Sequence, residues 1–576
     1  MNAAVSPAVD RSAAAPQAAT PPQRHRFAVT RRTASLVALA LLVTLANSFK
    51  TIHIDDAAYV LYAAHIAERP LAPYDFDIYW DYHWQPANQV LAPPVLLYWL
   101  AGAMRWLGDD PALWKLSLLP LHLLLVFSLH ALLRRFAALV AGPVTWMLVL
   151  SPALLPGTNL MLDVPALALG LGALAVFFRA CDGNSWALAL AAGALGGLAM
   201  QTKYTAFVVP GVVLVYGLMQ RRRCMAMATV TTALALFAAW EGLIAWQQGQ
   251  SHFLAAVFQR TGSSADRIRH LVLPLLTLVP AVAPATMLLA LAALARSWRW
   301  VAGAAAALGG GLLLIGVVPE QLAVFSRDAI NGNPCLTLES ILYGALMAAW
   351  WAVLALAARR LRVWRFGDRA TLFLLVWLSL EVLSYFALSP FPAARRMLGV
   401  VVVTTLLTAR LAHFAIPHLR RRLWAAAGVS AACGIALALI DLREAAAAEE
   451  AARAAAQVAR NGSGSAWFSG TWGFQFHAVR ERLRPLQPGQ TQLKRGDCLV
   501  LAEQQLARID FCPDDAPLAP LQTIAIEDRS PWRTVLCYYC GRIPVQHHEG
   551  PRLRVTVYRV LADFVPTSHG ELPPLR

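Results

Sequence analysis

Long apolar runs dominate this chain and restrict it to a membrane fold. Runs of about 18 or more apolar residues, each long enough to cross a bilayer, recur along the sequence. Hydrophobic residues make up 58% of the chain and charged residues 14%, whereas soluble domains have about 45–50% apolar and about 25% charged residues. We therefore predict an all-α polytopic membrane protein.

Within residues 33–441, most arginines stand in short clusters between the apolar runs. The clearest are Arg134-Arg135, Arg221–Arg223, Arg359–Arg369 and Arg420–Arg422. Such clusters mark cytoplasmic loops, so we interpret the net charge of +16 as a topology signal with lipid-headgroup contact, and not as nucleic-acid binding. With the clusters as cytoplasmic markers, the chain has about 13 transmembrane helices. We expect a bacterial inner-membrane protein with a cytoplasmic N-terminus and a periplasmic C-terminus.

Composition divides the chain into three parts. Residues 1–32 are rich in Ala, Pro and Ser and predict a disordered cytoplasmic tail. Residues 33–441 form the transmembrane domain, whose long first outer loop covers 51–110. Residues 442–576 contain short alternating strands and are long enough for a small α/β or mostly-β periplasmic domain.

Four of the eight cysteines lie in this C-terminal domain. They are Cys498, Cys512, Cys537 and Cys540. In an oxidising compartment such cysteines form disulfides. The spacing Cys537-Tyr-Tyr-Cys540 leaves metal binding or redox exchange as alternatives.

Acidic and basic residues collect at the outer ends of the predicted spans. The acidic residues are the pair Asp55-Asp56, just past span one, and Asp163 at the head of span four; the basic ones are Lys203, Arg395 and Arg396. A carboxylate can take a proton from a hydroxyl, and cations or a divalent metal can neutralise a phosphate. This set suits transfer from a lipid phosphate. The alternatives are helix capping for the aspartates, snorkelling for Lys203 and solvated span ends for the arginines.

The first outer loop is rich in aromatic and acidic residues. Aromatic faces stack on sugars and carboxylates accept hydroxyl protons, so the loop resembles a sugar-binding surface. The candidate substrate contacts in and beside it are Tyr59, His83, Tyr98 and Trp99. An interfacial aromatic belt is the alternative interpretation.

The order of these features resembles the membrane glycosyltransferases of the C-type (GT-C) fold, which include dolichyl-phosphate-mannose protein mannosyltransferases and bacterial aminoarabinose lipid A transferases. The matching elements are Asp55-Asp56, Pro93-Pro94-Val-Leu-Leu-Tyr98-Trp99, Met161-Leu-Asp163-Val-Pro165, Lys203-Tyr204, Arg396-Met-Leu398 and, in the tail, Phe468-Ser-Gly-Thr-Trp472-Gly-Phe-Gln475. The resemblance covers about the first 220 residues well and the later spans loosely.

The resemblance implies an inverting transferase that moves a sugar from a polyprenyl-phosphate donor to a lipid, glycan or protein acceptor. Asp55 would be the general base, and Asp56 and Asp163 would orient the acceptor or a divalent metal. Lys203 and Arg396, with the adjacent Arg395, would hold the donor phosphate. A transporter or flippase of lipid-linked sugars would instead carry ionisable residues at mid-span and inverted repeats. A catalytically silent scaffold is a third alternative.

Overall fold

The computed structural model describes residues 30–90, 93–258, 326–327, 334–335, 368–391, 393–415, 420–503, 516–528, 530, 532–539, 546–547 and 550–567. Nearly all of the predicted N-terminal tail and the predicted spans eight to ten lie outside these ranges. The same holds for Cys512 and Cys540, so the predicted disulfides stay a prediction. Cys498 is described and is a buried free thiol.

Helices make up most of the described chain. In chain order they are α1 (Arg31–Ser48), α2 (Asp56–Glu68), α3 (Pro94–Leu107), α4 (Pro111–Leu116), α5 (Leu119–Ala137), α6 (Ala141–Val149), α7 (Asp163–Gly183), α8 (Trp186–Met200), α9 (Val208–Met219), α10 (Arg223–Gln248), α11 (His252–Phe258), α12 (Arg369–Leu388), α13 (Leu398–Ala415), α14 (Arg420–Arg460) and α15 (Trp472–Arg480).

Within the described ranges, five stretches are long and apolar enough to cross a membrane. They are Pro111–Val149, Asp163–Gly183, Arg223–Gln248, Arg369–Leu388 and Arg422–Arg460, and two shorter apolar helices cover Trp186–Met200 and Tyr204–Met219. The protein is therefore a mostly helical membrane protein, while the predicted number of about 13 spans is not confirmed.

The C-terminal region contains a small sheet. The strands of the described residues are β1 (Asp77–Trp80), β2 (His83–Pro86), β3 (Ser326–Arg327), β4 (Pro334–Cys335), β5 (Ala466–Ser469), β6 (Arg484–Pro485), β7 (Cys498–Glu503), β8 (Leu518–Ile526), β9 (Trp532–Arg533), β10 (Gln546–His547) and β11 (Leu553–Val560). Five of them form one sheet in the order β6-β5-β7-β11-β8. Strand β5 is parallel to β6 and β7, whereas β11 is antiparallel to β7 and β8. The tail is thus an α/β domain.

Helix α14 joins the membrane part to this sheet. The predicted boundary at 441/442 falls inside the helix, because no Gly or Pro interrupts the sequence there. Its second half carries an alanine stripe that packs with Phe468, Val500, Val555 and Val557 of the sheet. Alanine side chains allow the helix and the sheet to approach closely, so the tail is held against the end of a candidate span.

The tail also packs on residues 51–110, which the sequence predicts to be the first outer loop. Strands β1 and β2 form a hairpin in that loop, and Gln475 Nε2 in α15 donates a hydrogen bond to the Tyr79 carbonyl at 2.6 Å. Gly473 lies so close to the chain that a Cβ atom would be 2.8 Å from the Ile52 carbonyl oxygen. Only glycine therefore permits α15 to contact the segment that leads into the acidic pair.

Candidate active site

The acidic pair lies at the start of α2, and its two side chains have different surroundings. Asp55 precedes the first residue of α2, but its carboxylate makes no capping hydrogen bond. It accepts a hydrogen bond from Nη1 of Arg395 at 2.8 Å, across 340 residues of sequence. Asp56 is fully buried in the first turn of the helix. Capping therefore does not account for the Asp55 side chain.

A second carboxylate joins Asp55 through the same arginine. Asp163 is the buried first residue of α7, and its Oδ2 atom lies 3.6 Å from Arg395 Nη1. Its Oδ1 atom pairs with Lys203 Nζ. Arg395 and Arg396 lie in the short helical turn before α13. We call this group the cavity cluster: Asp55, Asp163, Lys203, Arg395 and Arg396.

Four members of the cavity cluster line an open cavity of about 640 Å³. Most of the other lining side chains are apolar and come from α7, α9, α12 and α13. They include Leu167, Leu171, Leu174, Val209, Trp377 and Val400. The arrangement places several charges beside an apolar chamber, as a ligand with a charged head and an apolar tail requires.

One acidic side chain of the cavity wall was not predicted. Glu381 of α12 accepts a hydrogen bond from Trp377 Nε1 at 2.9 Å. A Cβ atom at position 399 would overlap its carboxylate, so Gly399 provides the space that Glu381 occupies. The sequence signal that could have identified it is a lone glutamate in the middle of a predicted span.

Burial changes the titration of two groups at this site. It lowers the pKa of Lys203 to about 8; the attraction of Asp163 opposes this shift, and Arg396 and Arg395 add to it. The ammonium form therefore still predominates at neutral pH. Burial, with the charge of Asp55 next in importance, raises the pKa of Tyr59 well above its usual value. The Tyr59 hydroxyl keeps its proton beside the acidic residues.

Asp56 faces a different set of charges. Both of its carboxylate oxygens are buried and have no hydrogen-bond partner among the described residues. Burial raises the pKa of Asp56 to about 6, against the opposing charges of Lys115 and Lys50. Lys115 Nζ donates to the backbone carbonyl of Thr51 at 3.2 Å. Asp56 does not line the cavity.

Three predicted substrate contacts of the first outer loop lie elsewhere. His83 is exposed on the hairpin, with Nδ1 2.9 Å from the Asp81 carbonyl. Tyr98 donates to the Pro70 carbonyl, and Trp99 donates to Ser117 Oγ at 3.1 Å. None of the three lines the cavity. The charges of Asp55, Arg395 and Asp163 act on the pKa of the fourth predicted contact, Tyr59.

Sequence reasoning missed a second group of buried charges. Lys50 Nζ lies 2.5 Å from Asp441 Oδ2 and donates to the Tyr539 hydroxyl at 2.9 Å. The Tyr539 hydroxyl donates to the same Asp441 oxygen at 2.8 Å. Thr534 Oγ1 donates to Oδ1 of Asp441 at 3.1 Å. We call Lys50, Asp441, Thr534 and Tyr539 the anchor cluster. Its signals in the sequence were the lysine after span one and the aspartate within an alanine-rich helix.

The described residues do not form a divalent-metal site. Within the described ranges, no group of three or more His, Cys, Asp or Glu side chains is placed to hold a metal ion. Asp55 is paired with Arg395, and Asp163 with Lys203 and Arg395.

Comparison with solved structures finds proteins that are similar to this chain over about four fifths of its length. The chain is similar to ArnT from Cupriavidus metallidurans bound to undecaprenyl phosphate, at 15% identity over 81% of this chain and 92% of that one, with a TM-score of 0.35. It is also similar to the archaeal oligosaccharyltransferase AglB from Archaeoglobus fulgidus in complex with an inhibitory peptide and a dolichol-phosphate, at 12% identity over 82% and 69% of the two chains, with a TM-score of 0.44.

The apo form of the Archaeoglobus fulgidus oligosaccharyltransferase gives 14% identity over 82% and 66% of the two chains, with a TM-score of 0.45. No family model and no curated protein matches the chain. At these identities and TM-scores the structural similarities carry no argument about activity, which depends on the site itself.

Proposed function

We propose that this protein transfers a sugar from a polyprenyl-phosphate donor to an acceptor hydroxyl at the outer face of the membrane. The observation that carries the proposal is the cavity cluster, in which three cations and two carboxylates meet beside an apolar cavity. A polyprenyl-phosphate sugar has the matching parts: an anionic phosphate, an apolar chain and a polar sugar.

The cations would hold the donor phosphate. Lys203, Arg395 and Arg396 all line the cavity, and a low-dielectric setting strengthens their attraction for the charge that develops on the leaving phosphate. The apolar walls from α7, α9, α12 and α13 would receive the first isoprene units.

Asp55 would be the general base. Its side chain is 25% exposed, whereas that of Asp163 is 3% exposed, so an incoming hydroxyl can reach Asp55 more easily. The acceptor oxygen attacks C1 of the sugar opposite the phosphate, and the C1–O bond to the phosphate breaks. Asp55 takes the hydroxyl proton and the polyprenyl phosphate leaves as an anion. This course inverts the configuration at C1.

The test is sugar transfer or slow hydrolysis by the purified protein in lipid vesicles that contain radiolabelled polyprenyl-phosphate sugars. Loss of a general base lowers turnover by about 10²–10⁴-fold. We expect Asp55→Asn to cause a loss of that size. The matched control is Asp77→Asn, because Asp77 is an exposed aspartate on β1 of the same loop and its loss should leave turnover within about twofold.

Two outcomes would contradict the proposal in different ways. Wild-type turnover in Asp55→Asn would remove Asp55 as the base. Tight donor binding without turnover of any donor would favour the transporter or scaffold alternatives. The sugar and the acceptor class, whether lipid, glycan or protein, follow from which labelled donor and product are found.

A further inference from the structure

The C-terminal tail reaches the arginine that bridges the two carboxylates of the cavity cluster. Arg395 Nε donates a hydrogen bond to the backbone carbonyl of Tyr539 at 3.2 Å, while its Nη1 donates to Asp55 at 2.8 Å. The guanidinium carbon also lies 5.7 Å from the centre of the Tyr539 ring. One side of the guanidinium is therefore held by the tail and another by the first outer loop.

The Tyr539 side chain is itself fixed by the anchor cluster. Its hydroxyl accepts from Lys50 Nζ and donates to Asp441 Oδ2, at 2.9 and 2.8 Å. The Lys50 and Asp441 side chains are 2% and 1% exposed. Charged partners in a buried setting make strong, directional hydrogen bonds. The anchor cluster thus sets where the Tyr539 carbonyl lies, and that carbonyl sets the orientation of Arg395.

The orientation matters because the guanidinium is a planar fork with fixed donor directions. With Nε directed to Tyr539 and Nη1 to Asp55, the plane of Arg395 is fixed before any ligand arrives. A donor site that is preorganised in this way loses less entropy on binding. A rotated Arg395 would keep its charge and lose this preorganisation.

We infer that Tyr539 is a positioning residue for the donor phosphate, so that the tail helps to set the affinity of the membrane site for polyprenyl phosphate. This inference rests on the proposed function. It assigns to the tail a role in donor binding, in addition to any role in recognising the acceptor.

The test is a double-mutant cycle on binding of undecaprenyl phosphate to the full-length protein in lipid nanodiscs. Tyr539→Phe keeps the ring and the Lys50–Asp441 pair but removes the hydroxyl, and we expect the dissociation constant to rise about tenfold, as for one lost charge-assisted hydrogen bond. Arg395→Met should weaken binding more. If Tyr539 acts through Arg395, the double variant should bind no more weakly than Arg395→Met alone.

Tyr538→Phe is the matched control. The Tyr538 hydroxyl donates to the Ala153 carbonyl at 2.7 Å, so this variant loses a buried hydrogen bond in the same segment, whereas Tyr539→Phe loses two. We expect both variants to lower the unfolding temperature, with binding changed in Tyr539→Phe alone. Unchanged binding in Tyr539→Phe would overturn the inference and leave the proposed function intact. The same would follow if Tyr539→Phe weakened binding by the same factor in the Arg395→Met background as in the wild type. Absence of saturable binding in the wild type would overturn both.

Discussion

The cavity cluster and the anchor cluster contain similar charges but differ in access to solvent. In the cavity cluster, the side chains of Asp55 and Lys203 are 25% and 15% exposed. In the anchor cluster, those of Lys50 and Asp441 are 2% and 1% exposed. The first cluster opens on a cavity, whereas Asp441 in the second has both oxygens engaged by protein donors. A ligand can join the first without displacing the groups of the second.

This difference separates two uses of buried charge. Desolvating two ions costs about as much as their attraction returns, or more, so a closed ion pair is a poor source of net stability. Its geometry, however, is well defined once formed. Residues 50–56 supply both Lys50 and Asp55, and Arg395 bonds Tyr539 and Asp55. The anchor cluster therefore holds the segment from which Asp55, the proposed general base, projects.

The largest expected effect comes from breaking the anchor cluster. Lys50→Met leaves Asp441 buried and without its cation, which destabilises the protein by about 3–5 kcal/mol. Lys203→Met should destabilise it by only about 1–2 kcal/mol, because Asp163 is still 3.6 Å from Arg395 and the site is more open. Thermal unfolding in detergent micelles measures both.

The two variants should also differ in which property is lost, donor binding or folding. Lys203→Met is expected to fold and to lose donor binding, whereas Lys50→Met is expected to yield little folded protein. Lys494→Met is the control, because this lysine is exposed in the tail and its loss should change stability by less than about 0.5 kcal/mol. Equal destabilisation by Lys50→Met and Lys203→Met would remove the distinction between the clusters.

The cavity cluster was largely predictable from the sequence. Asp55, Asp163, Lys203 and Arg395 each stand at the end of an apolar run, where an ionisable residue is expensive and therefore informative. A topology that places these ends on one face brings them together, although it gives no distances. The mostly helical architecture follows from the same runs, because only helices and closed barrels satisfy the backbone within a bilayer.

The anchor cluster was not predictable in the same way. Asp441 lies in the middle of an uninterrupted helix, and Tyr539 lies almost 100 residues later in a short turn of the tail. No local sequence pattern predicts that Asp441 and Tyr539 contact Lys50. Their contact depends on how α14 and the sheet pack, which is a long-range property. Packing between elements also decides the partners of Tyr98 and Trp99. These two side chains contact Pro70 and Ser117.

A smaller effect is expected from the pH dependence of stability near the anchor cluster. Burial raises the pKa of Asp56 to about 6, while an unfolded aspartate titrates near 3.9. Between these values the folded protein binds the extra proton, so this contribution to stability is present below about pH 4 and is lost as pH rises to about 6. Burial lowers the pKa of His53 to about 3, and that contribution is instead lost as pH falls below about 6.5.

Between about pH 4 and 6, the contributions of Asp56 and His53 to the free energy of unfolding change in opposite directions with pH. In Asp56→Asn only the contribution of His53 remains. We expect the free energy of unfolding of this variant to rise more steeply with pH than that of the wild type, by up to about 3 kcal/mol over the interval. Denaturant unfolding in micelles at several pH values measures the slopes. Asp77→Asn, on the exposed hairpin, should keep the wild-type slope. Parallel profiles for Asp56→Asn and the wild type would show that Asp56 does not titrate there.

The smallest expected effect comes from adding a methyl group to the wall of the cavity. In Gly399→Ala the new methyl group overlaps the carboxylate of Glu381, a residue that lines the cavity, and this side chain must shift. We expect a destabilisation of about 1–2 kcal/mol, typical of overpacking, and weaker binding of undecaprenyl phosphate because the cavity narrows. Gly102→Ala in α3 is the control, since nothing lies within 4 Å of its added Cβ atom.

Glu381→Ala in the Gly399→Ala background should restore binding, because the displaced carboxylate is then absent. Recovery would establish that the apolar chamber beside the cavity cluster is where the lipid is held. Loss of binding that persists in the double variant would mean that Gly399 matters for helix packing and not for access. The cavity cluster would then have to receive its ligand from the side of Asp55, and the contrast with the closed anchor cluster would rest on the exposure of Asp55 alone.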